Sequence, residues 1–302
     1  MNRPDSIRRI LVGADTRGLS QDALVRAFDL AGRFEAELDV LHVVEAPLPR
    51  GPVVRKEELA KLNGEAFAKA RAEVEERVAK ARAANSDVKL TTCEVETVPG
   101  HVAEALLKRA EATGADLLVI GPHAERKLFE FGSTTRAVLG HSPIPVWNQT
   151  APVEPIERVL VPIDFSDHSR AAVHHAIGYS VAFGAPLTLL HCYVPPSFAY
   201  DPDGSGLAGA NYVVEADRDQ ERGELERWIA ELEETPAVSL QSIFAEGDPR
   251  IAVSEERRAG DLVVMGTQGR SGFSRFLLGS VAHATVRDTE GAVVVVPGPE
   301  AD

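Results

Sequence analysis

The sequence is poor in cysteine, in long apolar runs and, over its second half, in lysine. Its 302 residues hold two cysteines, Cys93 and Cys192, one in each half. That excludes a disulfide framework and fits a reducing compartment, so a cytoplasmic location is expected. No stretch approaches the roughly 20 consecutive apolar residues needed to span a bilayer. The opening residues, Met1-Asn-Arg-Pro-Asp5, form no apolar signal core, so no membrane partner is expected. Residues 151–302 contain no lysine, and their 11 arginines face 24 acidic residues. The first 150 residues are nearly balanced, 21 basic against 22 acidic, so most of the net charge of −14 sits in the second half. A fold this acidic repels DNA, so nucleic acid is not an expected partner either. His-Glu-x-x-His, Cys-x-x-Cys and Gly-x-Ser-x-Gly arrangements are all missing. Neither a structural zinc nor a serine nucleophile elbow is expected, and no set of base and nucleophile is legible.

What is present is a repeat. Arg9-Ile-Leu-Val-Gly-Ala-Asp15 returns as Arg158-Val-Leu-Val-Pro-Ile-Asp164, and His42 returns as His191, both at an offset of 149. Asp116-Leu-Leu-Val-Ile-Gly121 returns as Asp261-Leu-Val-Val-Met-Gly266, and Gly132-Ser133 as Gly279-Ser280. The period is half the chain, so this is a tandem duplication and not a solenoid of short units. Each half alternates short apolar runs with helical patterns. That predicts an α/β fold of two tandem doubly wound domains, 1–150 and 151–302, each with a mainly parallel five-stranded sheet flanked by helices. In the first half the expected strands are 10–14, 38–44, 89–96, 116–120 and 144–147. The expected linker is 148–157, with Pro152 and Pro155. In the second half Ala292 to Val296 is expected to close the sheet, and Pro195 to Asn211 reads as an irregular loop. His42 and His191 read as core residues, and Trp228 as the buried side of a helix otherwise rich in glutamate.

The stretch beginning at Met265 carries the chemistry. An apolar run, Leu262 to Met265, leads into Gly266, then two residues, Gly269, then nine residues, Gly279 and Ser280. A helical pattern follows from Val281. Glycines allow close backbone approach, and a helix start offers unpaired N–H groups with partial positive charge. Together they suit a phosphate. The spacing is neither Gly-x-Gly-x-x-Gly nor Gly-x-x-x-x-Gly-Lys-Ser/Thr. With no lysine in this half, Arg270 and Arg275 inside the loop are the cations at hand. In an open parallel sheet, ligands bind beyond the carboxyl ends of strands where strand order reverses. Asp164, Val194 and Gly266 each end or follow such a strand, so all three are expected at one crevice.

This Gly-x2-Gly-x9-Gly-Ser pattern after an apolar strand resembles the nucleotide-binding motif of the universal stress protein family. The likeness spans both halves and implies an adenine nucleotide alpha hydrolase-like fold. It implies ATP or another adenine nucleotide as ligand, with or without Mg2+. Carried over, Asp164 would meet the ribose or adenine side, and the backbone of Tyr193 or Val194 the adenine. Met265, Gly266, Gly269, Arg270, Gly279, Ser280 and the N–H of Val281 would surround the phosphates. The first half departs from the pattern: Gly121 is followed by Pro122, alanine stands at 124, and the loop to Gly132-Ser133 is two residues shorter. That half is expected to bind nucleotide weakly or not at all. The implied role is a non-catalytic one in stress response or signalling, with a protein partner left open. The alternatives are slow ATP hydrolysis or phosphoryl transfer from the same crevice, or a nucleotide-free scaffold. Family members often pair, so the two halves are expected to imitate a dimer, with a further dimer of chains possible.

Overall fold

The computed structural model describes residues 7–45, 56–88, 92–122, 132–196, 210–233, 238–269 and 278–299. The chain divides into two compact units, one of Arg3–Glu154 with Glu290–Val295, the other of Pro155–Thr289 with Val296–Asp302. Arg270 and Arg275, and all but the first two and last two residues of the loop expected at 195–211, lie outside the described residues.

The first unit runs β1 (Arg9–Ala14), α1 (Gln21–Phe34), β2 (Glu37–Val44), α2 (Lys56–Ala84), β3 (Cys93–Pro99), α3 (Val102–Thr113), β4 (Leu117–Ile120), α4 (Ser133–His141) and β5 (Val146–Gln149). The second runs β6 (Arg158–Ile163), α5 (Asp167–Phe183), β7 (Leu187–Tyr193), α6 (Ala210–Glu233), β8 (Leu240–Glu246), α7 (Pro249–Glu256), β9 (Asp261–Gly266) and α8 (Ser280–Asp288). The final strand is β10 (Ala292–Val296).

In the first unit the strands lie in the order β3-β2-β1-β4-β5-β10, and in the second in the order β9-β6-β7-β8. Neighbours from β3 to β5, and from β9 to β8, are parallel. The central strands are short apolar runs buried on both faces, which is how strands of a parallel sheet read. The edge strands β3 and β8 carry alternating polar residues and are only half-buried. In each unit the chain starts in the middle, builds outward over two strands and then jumps back to the other side of the first. Strand order therefore reverses between β1 and β4, and between β6 and β9.

Three features depart from the sequence reading: β3 runs on to Pro99, residues 290–295, expected in the second half, group with the first unit, and β5 is longer than expected. β5 ends at Gln149, so Asn148 and Gln149 are strand and not linker, and both are buried. They pair antiparallel with Val293 and Ala292 of β10. Their side chains are satisfied locally: Trp147 Nε1 donates to Gln149 Oε1 at 3.0 Å, and Gln149 Nε2 donates to the Ala151 carbonyl at 2.8 Å. β10 thus completes the sheet beside β5. The pairing supplies the hydrogen bonds that a buried strand edge requires.

The ends of the central strands opposite the crevice are pinned by repeat-related aspartates. Asp116 Oδ2 accepts from the backbone N–H groups of Arg8 and Arg9, at 2.8 and 2.9 Å. Asp261 instead meets the Arg158 guanidinium, accepting from Nε at 2.9 Å and from Nη2 at 2.5 Å, and also accepts from the Arg258 N–H at 2.7 Å. The Asp261 hydrogen bond is the main cause that raises the Arg158 pKa above its ordinary value. Both side chains are buried. Removing one charge from such a pair leaves the other uncompensated, so Asp261→Asn is expected to destabilise the second unit by about 3 kcal/mol. Urea unfolding would show this as a lower midpoint, and an unchanged midpoint would refute the pinning role.

Candidate functional site

β6 and β9 pair only over Arg158↔Asp261, Val159↔Leu262 and Leu160↔Val263. On its other side β6 stays with β7 as far as Ile163↔His191. Beyond Leu160 and Val263, then, the two central strands part, and the gap at their carboxyl ends is the crevice that the reversal of strand order predicts. Asp164 follows β6 directly. Two residues on, Ser166 caps α5, accepting from the Ser169 N–H at 3.2 Å.

The Asp164 carboxylate is held firmly. Its Oδ1 accepts from the Ser166 hydroxyl and the Ser169 hydroxyl, each at 2.6 Å, and from the Ser166 N–H at 3.2 Å. The Asp164 N–H in turn donates to Ser169 Oγ at 3.0 Å. The turn this makes forces Phe165 to φ 62°, a left-handed conformation that costs a non-glycine residue about 1 kcal/mol or more. Phe165 is steadied by aromatic neighbours. His191 lies 4.3 Å away between ring centroids and Trp228 of α6 5.6 Å away, edge-on. Arg170 lies over the far neighbour, Trp228, at 4.6 Å. His191 is buried as expected, yet it is more than filler. Its Nδ1 faces the Ile163 carbonyl at 3.0 Å, and its Nε2 faces the Glu221 carboxylate at 2.9 Å.

The glycines of the motif divide by role. Gly266 is the last residue of β9, and a β-carbon there would lie 2.8 Å from His168 Cβ and 3.0 Å from its backbone. Its smallness lets α5 pack on β9. Gly269 lies on the crevice side: a β-carbon there would overlap Asp164 Oδ2. Gly279 N–H donates to the Thr267 carbonyl at 2.7 Å, which closes the loop at its base, and Thr267 N–H donates to Val296 at 2.9 Å. α8 opens at Ser280, which is exposed. As first-turn residues, Ser280, Val281 and Ala282 have no intrahelical acceptor for their N–H groups. Met265 is buried in the core, so only its backbone faces the loop. Val194, directly after β7, is 59% exposed, an unusual position for a large apolar residue beside a buried strand. Asp164 and Gly269 are therefore in direct apposition. Gly279, Ser280 and Val281 form the base of the loop, Gly266 stands behind it, and Val194 ends the neighbouring strand. Sequence reasoning missed Thr267, Phe165 and Ser169.

The first unit repeats the turn and changes the bracing. Asp15 Oδ1 accepts from the Gly18 N–H at 2.9 Å and the Ser20 hydroxyl at 3.0 Å, while the Asp15 N–H donates to Ser20 Oγ at 2.8 Å. Here the clamp is Arg77 of α2, whose guanidinium donates to the Thr16 carbonyl and fills the space beside Gly18. The loop that holds Ala124 lies outside the described residues.

Other reactive groups contribute little. Burial pushes the Cys192 thiol up to about 11, helped by Asp248, Glu221 and Glu246, so it stays protonated at neutral pH and is a poor nucleophile. Among the described residues, no three His, Cys, Asp or Glu side chains are grouped to hold a metal ion. No helix among them is long and apolar enough to cross a membrane.

The family model described as the universal stress protein family matches residues 6–147 and again 155–297. A universal stress protein of Mycolicibacterium smegmatis is 26% identical over 299 residues, covering 95% of this chain and 96% of its own. A universal stress protein of Methanocaldococcus jannaschii is 30% identical over 147 residues, which is 48% of this chain and 84% of that protein. Among solved structures, a universal stress protein from Archaeoglobus fulgidus superposes with a TM-score of 0.69 at 18% identity, covering 97% of this chain and 99% of its own, which bears on the fold. With the family model matched twice along one chain, this protein belongs to the universal stress protein family as a tandem of two such domains.

Proposed function

We propose that the second half binds an adenine nucleotide, with ATP as the leading form, and that it acts in stress response or signalling without turning the nucleotide over. The observation that carries this reading is the apposition of the Asp164 carboxylate and Gly269 where β6 and β9 part. A carboxylate accepts from ribose hydroxyls, and a loop of bare backbone leading into a helix start donates to phosphate oxygens. Exposed Val194 supplies an apolar edge for the base. Arg270 is assigned to the phosphates on charge alone, since this half has no lysine. Mg2+ would be held chiefly by the phosphates. The first half, with Ala124 and Pro122 in its loop, serves as a structural copy that presents surface to a protein partner. On this reading the chain works in the cytoplasm, and its halves stand in for the two members of a dimer.

Calorimetry is expected to give one ATP per chain, not two. Absence of saturable heat from the wild type would sink the proposal. Gly269→Ala, whose methyl would collide with Asp164, is expected to weaken ATP at least about tenfold, roughly 1.4 kcal/mol. Gly279→Val should act in the same direction, because a β-carbon there lies 3.3 Å from the Thr267 carbonyl oxygen. Equal affinity in both variants and the wild type would place any nucleotide elsewhere.

A further inference from the structure

A groove of about 380 Å³ lies between β3 and α3 in the first unit, and its lining takes nothing from the turn after Asp15. Its floor is apolar, made by Leu41 of β2, Val98 of β3 and Ala105 of α3. One end is charged. Glu96 stands two residues before Val98, on the same face of the strand. Arg109 of α3 meets it across the groove, Nη1 to Oε2, at 2.9 Å. That oxygen is shut off from solvent and accepts no well-directed hydrogen bond, so the contact is an ion pair alone. Both side chains remain partly open, Arg109 29% and Glu96 41% exposed. Nε and Nη2 of the one and Oε1 of the other make no hydrogen bond to the protein. Lys108 and Glu104, also on the rim, pair with each other at 2.7 Å and are mostly exposed.

The second half keeps this scaffold and rewrites its chemistry. Gly100 and Gly247 both have positive φ, 142° and 122°. Each donates its N–H to the last residue of the second strand of its unit, Val44 at 3.2 Å and Tyr193 at 2.9 Å. That equivalence sets the local offset at 147. Val98 and Ala105 then answer to Ala245 and Ala252, which are still apolar, but Glu96 answers to Ile243 and Arg109 to Glu256. The fold therefore does not require the ion pair, and a partly exposed pair adds at most about 1 kcal/mol to stability. A charge pair that the fold can do without, set at the end of an apolar groove, has the form of a recognition element.

We infer that the first-half groove binds a free amino acid with an aliphatic side chain. The ligand head would lie antiparallel to the Glu96–Arg109 pair. Its carboxylate takes the open nitrogens of Arg109, whose planar fork suits a carboxylate, and its ammonium takes the open oxygen of Glu96. The side chain covers Leu41, Val98 and Ala105. A fatty acid or a simple amine would satisfy one charge and desolvate the other without compensation. The volume lies at the small end of the range for ligand pockets, which begins at about 300 Å³.

The test is calorimetric titration of the full chain with L-leucine, N-acetyl-L-leucine and L-leucinamide. Leucine should bind saturably with a Kd at or below about 1 mM. Each analogue lacks one head charge and should bind at least about tenfold more weakly. Arg109→Gln and Glu96→Gln should each weaken leucine by about tenfold or more. Glu256→Gln, at the matching place in the second half, should leave it unchanged. A wild type that shows no saturation by about 10 mM leucine overturns the inference. So does equal binding of leucine and both analogues, or wild-type affinity in Arg109→Gln and Glu96→Gln. If circular dichroism shows either variant unfolded, the comparison of leucine with its two analogues on the wild type decides.

Discussion

The ligand end of the second unit depends on how briefly β6 and β9 stay together. Three residue pairs join them, and then each strand runs on without the other while β6 keeps its bonds to β7. That early parting leaves Asp164 on one wall and the Gly266–Gly269 turn on the other. Longer pairing would close the gap with backbone hydrogen bonds, and shorter pairing would cost the sheet its central contact. The pinning of Arg158 by Asp261 at the far end holds the register that sets where the gap opens. β1 and β4 repeat the arrangement with Ile10 to Val12 against Leu117 to Val119. The geometry is thus a property of the domain, and the loops decide what it is used for.

The two halves differ in how they brace the turn after the first strand. Arg77 reaches from α2 to the Thr16 carbonyl and packs a guanidinium against Gly18. In the second half an aromatic wedge does this work, with Phe165 set between His191 and Trp228. The charged clamp puts a cation in the turn after Asp15, whereas in the second half the hydroxyls of Ser166 and Ser169 donate to the Asp164 carboxylate. The wedge also ties the turn to α6, through Trp228 and through the contact of His191 with Glu221.

Much of this was legible in the sequence because the physics is local. Runs such as Leu117 to Ile120 and Val159 to Ile163 are buried on both faces, so hydrophobicity alone marks them. The duplication repeats the strand signals, and the glycine spacing of the second half marks the loop. What was not legible involves partners distant in sequence. Asn148 and Gln149 read as linker because they are polar, and only β10 makes them strand. Gly266 reads like Gly269, yet one admits α5 and the other faces Asp164. Ser169 looks like any residue in a first helical turn. It stands out only when Asp15 to Ser20 is laid on Asp164 to Ser169, where each serine hydroxyl donates to its aspartate.

The seat of β10 beside β5 bears on how the chain is made. Synthesis runs from the amino terminus, and domains generally fold as they emerge. The first unit, however, takes its last strand from residues 292–295, close to the end of the sequence. Until those residues leave the ribosome, the outer edge of β5 has no partner, although it carries Trp147 and two polar side chains that the finished protein buries. An open edge of that kind is a template for pairing with another nascent chain. The duplicated architecture therefore imposes a waiting time on its own first half, and the interval during which that half is exposed to misassembly is set by the time needed to translate the second.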